Sequence, residues 1–241
     1  MIGAARSSRL GMAGRYRSTA ALVDKDLMPL TPEDLAAARE TLARLDPALA
    51  RAHAQTPPFE WRVRQGGFVG LFRMIVEQQV SVASAASVWA RLQAGLGEIT
   101  PAGLLAHDLD SLRGMGLSRQ KATYGQGMAR AQIEGTIDLE HLATLDDAAA
   151  IEALVRLKGV GLWTAEAYLL LCEGRTDVFP GGDVALQEAI KWADGTETRP
   201  DTKGAYARAE IWRPWRGVAT HLLWAWYTGV KKGEIVLGDP A

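Results

Sequence analysis

The chain has 241 residues, 48% of them hydrophobic and 23% charged, with a net charge of −1 at pH 7. It is long and apolar enough to bury a full core as one large domain or two small lobes, and it is not disordered overall. Its single cysteine, Cys172, excludes a disulfide framework and a cysteine-ligated metal site, and its longest apolar runs, such as Ala219 to Trp226, are too short to cross a membrane.

In chain order, Met1 to Leu30 carries Arg6, Arg9, Arg15 and Arg17 among Ser, Gly and Ala and lacks a seven-residue apolar core. It reads as a flexible basic tail over 1–30 rather than a secretory signal, with an organelle transit peptide as the other reading. The body, 31–241, reads as helix almost throughout. Thr31-Pro-Glu-Asp has capping chemistry before Leu35, Ala38, Leu42 and Leu45 at helical spacing. Phe68, Leu71, Phe72, Ile75 and Val76 form a stripe of period 3.6. Ser81 to Leu96 is expected as a helix with Val82, Ala85, Ala86, Trp89 and Leu92 on one packed side. Thr100-Pro starts a short helix, Ser118 starts one to about Ala131, and Leu145-Asp-Asp starts one ending near Leu157. Val184–Trp192, Lys203–Trp212 and Val218–Tyr227 complete the set. Alternating β-branched runs are few, so the fold class is all-α.

The densest segment runs from Leu157 to Asp183. Leu157-Lys-Gly-Val-Gly161 has two glycines flanking Val160, where the backbone can take φ > 0 or approach a ligand closely. A helix expected from Thr164 through Tyr168 to Cys172 follows at once. Its first amides lack intrahelical partners and carry the positive end of the helix dipole, so a phosphate can dock there without a lysine. An ordinary helix–helix turn uses the same residues. Val178-Phe-Pro-Gly-Gly-Asp183 then places one carboxylate after a stiff turn and before a helix. Asp183 is an N-cap in one reading and a catalytic acid in the other, and the two are compatible because a helix N-terminus favours negative charge.

Taken together, the Gly159–Gly161 hairpin, Trp163-Thr-Ala and Asp183, twenty residues after Trp163, resemble the helix–hairpin–helix DNA glycosylases with a Gly/Pro…Asp loop. Within that superfamily the chain is most similar to the 3-methyladenine DNA glycosylase II type. Three further segments carry the resemblance. Gly70-Leu-Phe-Arg-Met-Ile-Val-Glu-Gln-Gln-Val-Ser81 is similar to the first core helix, Arg113-Gly-Met-Gly-Leu-Ser-Arg-Gln-Lys-Ala122 to a second glycine turn, and Trp212-Arg-Pro-Trp-Arg-Gly-Val-Ala219 to the entry of the C-terminal helix. The resemblance implies a two-lobed helical bundle over 31–241 with the active-site cleft between the lobes. Too few residues precede Phe59 for the additional α/β lobe of some members.

The resemblance also implies roles. Asp183 corresponds to the essential aspartate, which stabilises the positive charge building on the sugar as a base–sugar bond breaks. Bifunctional members have a lysine at the position of Trp163, whose amine attacks the sugar. Tryptophan there implies hydrolysis alone, leaving an abasic site without lyase chemistry. Trp163, Trp224 and Tyr168 are the implied base pocket, although the family's tyrosine aligns with Ala167, one position before Tyr168. Indole faces suit N3- and N7-alkylated purines, which are cationic and already weakened at the glycosidic bond. The other tryptophans, Trp61, Trp89, Trp192, Trp212, Trp215 and Trp226, read as packing, and His221 as a packed or hydrogen-bonded histidine. Gln79 stands where the family inserts a wedge into DNA after base flipping, beside Ser81, which otherwise simply caps the next helix.

With a pI of about 6.4, affinity for the DNA backbone must come from a local patch. Arg113, Arg119, Lys121, Lys158 and Arg216 are candidates, against the ordinary reading of solvated surface residues. Gly159, Val160, Gly161 and Thr164 are the expected hairpin contacts. No cofactor is required by the resemblance. The backbone carbonyls of Val155, Leu157 and Val160 are the implied seat of a monovalent or divalent cation, and an iron–sulfur cluster is excluded by the lone cysteine. The four histidines have no ligand spacing. The expected partner is double-stranded DNA with damaged bases, bound by a monomeric, cytoplasmic, nucleoid-associated protein of bacterial type. A same-fold glycosylase for deaminated or oxidised bases is the near alternative, and a helix–hairpin–helix DNA-binding module without activity is the distant one.

Overall fold

The computed structural model describes residues 30–237, so the expected basic tail lies outside the described residues apart from Leu30. Among them the chain is all-α, as expected, with no strand. The helices are α1 (Pro32–Leu45), α2 (Pro47–Gln55), α3 (Gly67–Glu77), α4 (Val82–Leu96), α5 (Pro101–Leu105), α6 (Leu109–Gly114), α7 (Arg119–Ile133), α8 (Asp147–Val155), α9 (Leu162–Cys172), α10 (Val184–Asp194), α11 (Thr202–Ala209) and α12 (Arg216–Lys232). Short 3-10 turns occur at His141–Thr144 and Glu210–Trp212. None of these helices is long and apolar enough to cross a membrane.

Most helix starts follow from local chemistry. Thr31, Asp46, Ser81, Thr100, Asp108, Ser118, Asp146, Asp183 and Asp201 each cap a helix through a side-chain oxygen. Each cap satisfies an amide that would otherwise lack a partner. The Asp46-Pro47 start of α2 and the Asp108 start of α6 carry the same signal and were not among the expected elements. α12 starts at Arg216 and runs through Lys232, five residues beyond the expected end.

Two hydrophobic cores form. Phe72, Ile75, Leu92, Leu104, Leu112, Met128 and Leu154 centre the first, drawn from α3 to α9. The second joins Leu42, Leu49, Leu186, Ile190, Trp212, Leu222 and Trp226, drawn from α1, α2 and α10 to α12. α9 serves both, since Leu169 belongs to the first and Leu170 to the second. That explains why Thr164 to Leu170 is buried without a break: a helix between two cores has no polar face. Asp46 ties the second core across the sequence. It caps α2 and also accepts from the Trp212 indole and the Arg208 guanidinium, each at 2.6 Å.

The packed side expected of α4 holds only in part. Ala85, Trp89 and Leu92 are buried, whereas Val82 is 88% exposed and Ala86 is exposed. Val82 is the first residue of the helix and precedes the turn at which α4 meets the first core. Both residues line an open cleft instead.

Candidate active site

A cleft of about 680 Å³ opens beside the start of α9. The turn after α3, the start of α4, the hairpin and α9 form most of its wall, and Trp224 of α12 closes one side. Met74, Trp163, Ala167, Leu171 and Trp224 give it an apolar and aromatic lining. The opposite wall is charged, where Glu77 bridges Arg64 and Arg73, each at 3.0 Å.

Asp183 does not line this cleft itself. It stands directly behind the two tryptophans that do. The Trp163 Nε1–H donates to its Oδ2 at 3.1 Å and the Trp224 Nε1–H to its Oδ1 at 3.2 Å. Oδ1 also accepts the Leu186 amide at 2.8 Å as the N-cap of α10. All three donors are neutral, so these hydrogen bonds fix the carboxylate without cancelling its charge. The capping and catalytic readings of Asp183 are therefore compatible in the geometry. No sequence signal linked Trp224 to Asp183, 41 residues apart, as a hydrogen-bonded pair.

Tyr168 is corrected. It is 1% exposed, packs in the first core, and its hydroxyl accepts the Gly67 amide at 2.8 Å rather than facing the cleft. One position on a helix turns a side chain by about 100°, so Ala167 meets the cleft and Tyr168 faces away from it. Burial pushes its phenol up from the ordinary value, which fits a structural hydroxyl.

The turn after α3 is held from two sides. The Lys121 ammonium donates to the carbonyls of Val76 and Gln78 at 2.8 and 2.6 Å. Gln78 Nε2 donates to the Gly159 carbonyl and Thr164 Oγ1, both at 3.2 Å, tying this turn to the hairpin. Between those anchors Gln79 is exposed at φ 55°, a left-handed conformation rare for a non-glycine residue and one that persists where its surroundings enforce it. Ser81 is exposed and accepts the Ser84 amide at 3.2 Å, as the cap of α4.

In the hairpin, Gly159 adopts φ 96° and Gly161 φ −87°. A Cβ on Gly161 would meet no atom within 4 Å, so its surface is open. α9 begins at Leu162, two residues earlier than expected, and no side chain caps its first amides. Val160 is 5% exposed and packs into the first core, leaving only its backbone to a ligand. Thr164 is 4% exposed with its hydroxyl engaged by Gln78, so its side chain is not a free DNA contact.

The cationic candidates divide. Lys158 and Arg119 are exposed near the hairpin and at the start of α7. Arg113 pairs with Asp110 at 2.9 Å in an exposed contact. Lys121 and Arg216 are corrected. The first holds carbonyls, as described, and the second is locked to Asp177 at 2.9 Å and Glu210 at 3.2 Å.

The tryptophans expected to pack do so: Trp61, Trp89, Trp212 and Trp226 are buried, and Trp192 and Trp215 are half-buried. Cys172 is buried, and burial pushes its thiol up to about 11. His221 sits behind Trp224, with ring centroids 5.7 Å apart, and 4.5 Å from Trp61. Burial lowers it to about 4. The folded protein thus excludes a proton that the unfolded chain binds below about pH 6.5. This stabilising term is complete above that pH and is lost as pH falls toward 4. Between pH 7 and pH 4.5 the loss is about 2 kcal/mol. His221→Phe is expected to remove that component, and thermal unfolding of both proteins at the two pH values measures it.

Comparison with known proteins identifies the family. The sequence profile of the HhH-GPD superfamily base excision DNA repair proteins matches residues 72–214. DNA-3-methyladenine glycosylase 2 of Escherichia coli (strain K12) is 31% identical over 196 residues, covering 75% of this chain and 64% of that protein. A relative from Bacillus subtilis (strain 168) is 28% identical over 162 residues, so the chain matches 64% of itself to 56% of that protein's length. The crystal structure of a DNA-3-methyladenine glycosidase from Bacillus halodurans superposes with a TM-score of 0.73 at 27% identity, covering 81% of this chain and 91% of that one. An Asp-bearing turn behind two cleft tryptophans, a glycine hairpin opening into α9 and a profile spanning both place this chain in the HhH-GPD superfamily of base excision DNA repair proteins.

Proposed function

We propose that this chain is a monofunctional DNA glycosylase that hydrolyses the N-glycosidic bond of alkylated purines, of the 3-methyladenine type, flipped out of duplex DNA. The observation that carries this reading is the Asp183 carboxylate held by the indole N–H groups of Trp163 and Trp224, the two tryptophans that line the cleft. A base in the cleft places its sugar toward Asp183. As the bond to the base lengthens, positive charge builds on the sugar, and a fixed carboxylate stabilises it and assists water. A cationic alkylated purine is attracted to the indole faces and leaves without full protonation, so one aspartate suffices.

Gln79 fills the gap left by the flipped nucleotide, presented by its strained backbone. A glutamine also hydrogen-bonds the orphaned base. The first amides of α9, with Gly159, Val160 and Gly161, hold a phosphate, and Lys158 and Arg119 add charge. Ser81 borders the wedge. The carbonyls of Val155, Leu157 and Val160 are three neutral oxygens, and that of Leu157 already accepts the Val160 amide at 3.0 Å. Such a donor set fits a weakly held monovalent cation better than a divalent one, which favours carboxylates. The DNA is bound by a monomer.

Trp163 occupies the lysine position of a lyase, and Lys158 lies on the other side of the hairpin turn. Incubation with methylated duplex DNA is expected to release free 3-methyladenine-type bases and leave intact strands with abasic sites. Borohydride present throughout is expected to trap no covalent protein–DNA adduct. Release of no methylated base overturns the substrate, and a trapped adduct overturns the monofunctional assignment.

A further inference from the structure

α9 carries a buried carboxyl group that the chemistry above does not use. Glu166 lies three residues after Trp163 and is 4% exposed. Its Oε1 accepts the Tyr206 hydroxyl at 2.5 Å, and its Oε2 is buried without a hydrogen-bond partner. Tyr206 comes from α11 and packs on the turn before Asp183. A Cβ on Gly181 would lie 2.9 Å from the Tyr206 ring, so the ring rests directly on that backbone. Gln187 Nε2 holds the Gly181 carbonyl from the other side at 2.7 Å, and the Asp183 amide donates to Pro180 at 2.9 Å.

We propose that Glu166 and Tyr206 are positioning residues for Asp183: their hydrogen bond fixes the phenol ring against Gly181 and so fixes the turn that aims the carboxylate. The proposal rests on the reading of Asp183 as the reacting group. One helix then sets both sides of the aspartate. Trp163 binds it from the cleft, and Glu166, through Tyr206, braces the turn behind it. A buried carboxyl with an orphaned oxygen costs folding free energy, which makes an incidental placement expensive. Burial pushes Glu166 up to about 7, against the opposing Tyr206 hydroxyl and Arg216, so the neutral form is well populated at physiological pH. A glutamine is therefore a fair mimic of it. The charged and titratable groups facing it are Tyr206 of α11 and Arg216 at the start of α12, the latter already paired with Asp177 and Glu210.

The test compares Tyr206→Phe and Glu166→Gln with wild type in the full chain. Tyr206→Phe removes the hydroxyl and keeps the ring. It is expected to slow single-turnover base release about tenfold while affinity for duplex DNA carrying an abasic analogue stays within twofold. Solvent exchange of the Trp163 and Trp224 indole N–H protons, followed by NMR without substrate, is expected to quicken in the same variant. Glu166→Gln retains an acceptor for Tyr206 and is expected to stay within about threefold of wild type. Wild-type release and wild-type indole exchange in Tyr206→Phe overturn the positioning role, as does a fall in DNA affinity matching the fall in rate. Because the indole exchange needs no substrate, it decides the positioning even if the wild-type protein releases no base, an outcome that counts against the glycosylase reading alone.

Discussion

Asp183→Asn is expected to lower single-turnover release of alkylated purine on the order of 10³-fold, about 4 kcal/mol of transition-state stabilisation, while the protein still binds abasic-analogue DNA. The expectation follows from what the substitution leaves intact. Asparagine caps a helix as well as aspartate does, so its amide oxygen continues to accept the Leu186 N–H. Trp224 donates to that same oxygen and keeps its partner. The amide nitrogen must then take the place of Oδ2 and face the Trp163 N–H, donor against donor. The fold survives; the negative charge and one indole anchor do not. Trp163→Phe separates these two losses. It removes the anchor and keeps the charge, and its rate is expected to fall about tenfold. Undiminished release by the Asn variant would remove the central claim, and equal losses in the two variants would shift it from charge to geometry.

Much of this site was legible in the sequence because its parts are local. The Asp183 cap follows from Pro180-Gly-Gly and the helix after it, and α9 announces itself by the glycine turn before it and the apolar run from Ala167 to Cys172. The contacts between distant segments were not legible. Trp224 meets Asp183 across 41 residues and Tyr206 meets Glu166 across 40, and no spacing rule encodes such pairs. Tyr168 shows how narrow the margin is. Its type and neighbourhood suit a pocket, yet one step of helical register puts its hydroxyl on the Gly67 amide. Lys121 shows the complementary failure. A lysine beside a glycine turn reads as a phosphate ligand, and only the fold brings the end of α3 within its reach. Val82 and Ala86 fit a helical stripe by spacing, but a stripe does not say whether a core or a cleft lies opposite it.

The two hairpin glycines are expected to respond differently to the same substitution, because they answer to different constraints. Gly159 has φ 96°, and a Cβ there would sit 2.3 Å from the Tyr124 ring. Gly159→Ala therefore combines left-handed strain with an overlap that an aromatic ring relieves only by moving. The cost is about 3 kcal/mol, or roughly a 10 °C fall in Tm for a domain of this size. The Gly159 carbonyl also receives Gln78, so displacement of the hairpin carries to the turn that presents Gln79. DNA affinity is expected to fall with stability. Gly161 has ordinary φ and open space around it, so Gly161→Ala leaves Tm within about 2 °C. Its methyl projects where the first amides of α9 approach a phosphate, and DNA affinity is expected to fall about tenfold with the fold intact. Thermal unfolding and binding to abasic-analogue DNA, measured on both variants, separate the roles. A stable Gly161→Ala protein with wild-type DNA affinity would move the phosphate contact away from this helix start, leaving the hairpin as a structural turn that Gly159 alone requires.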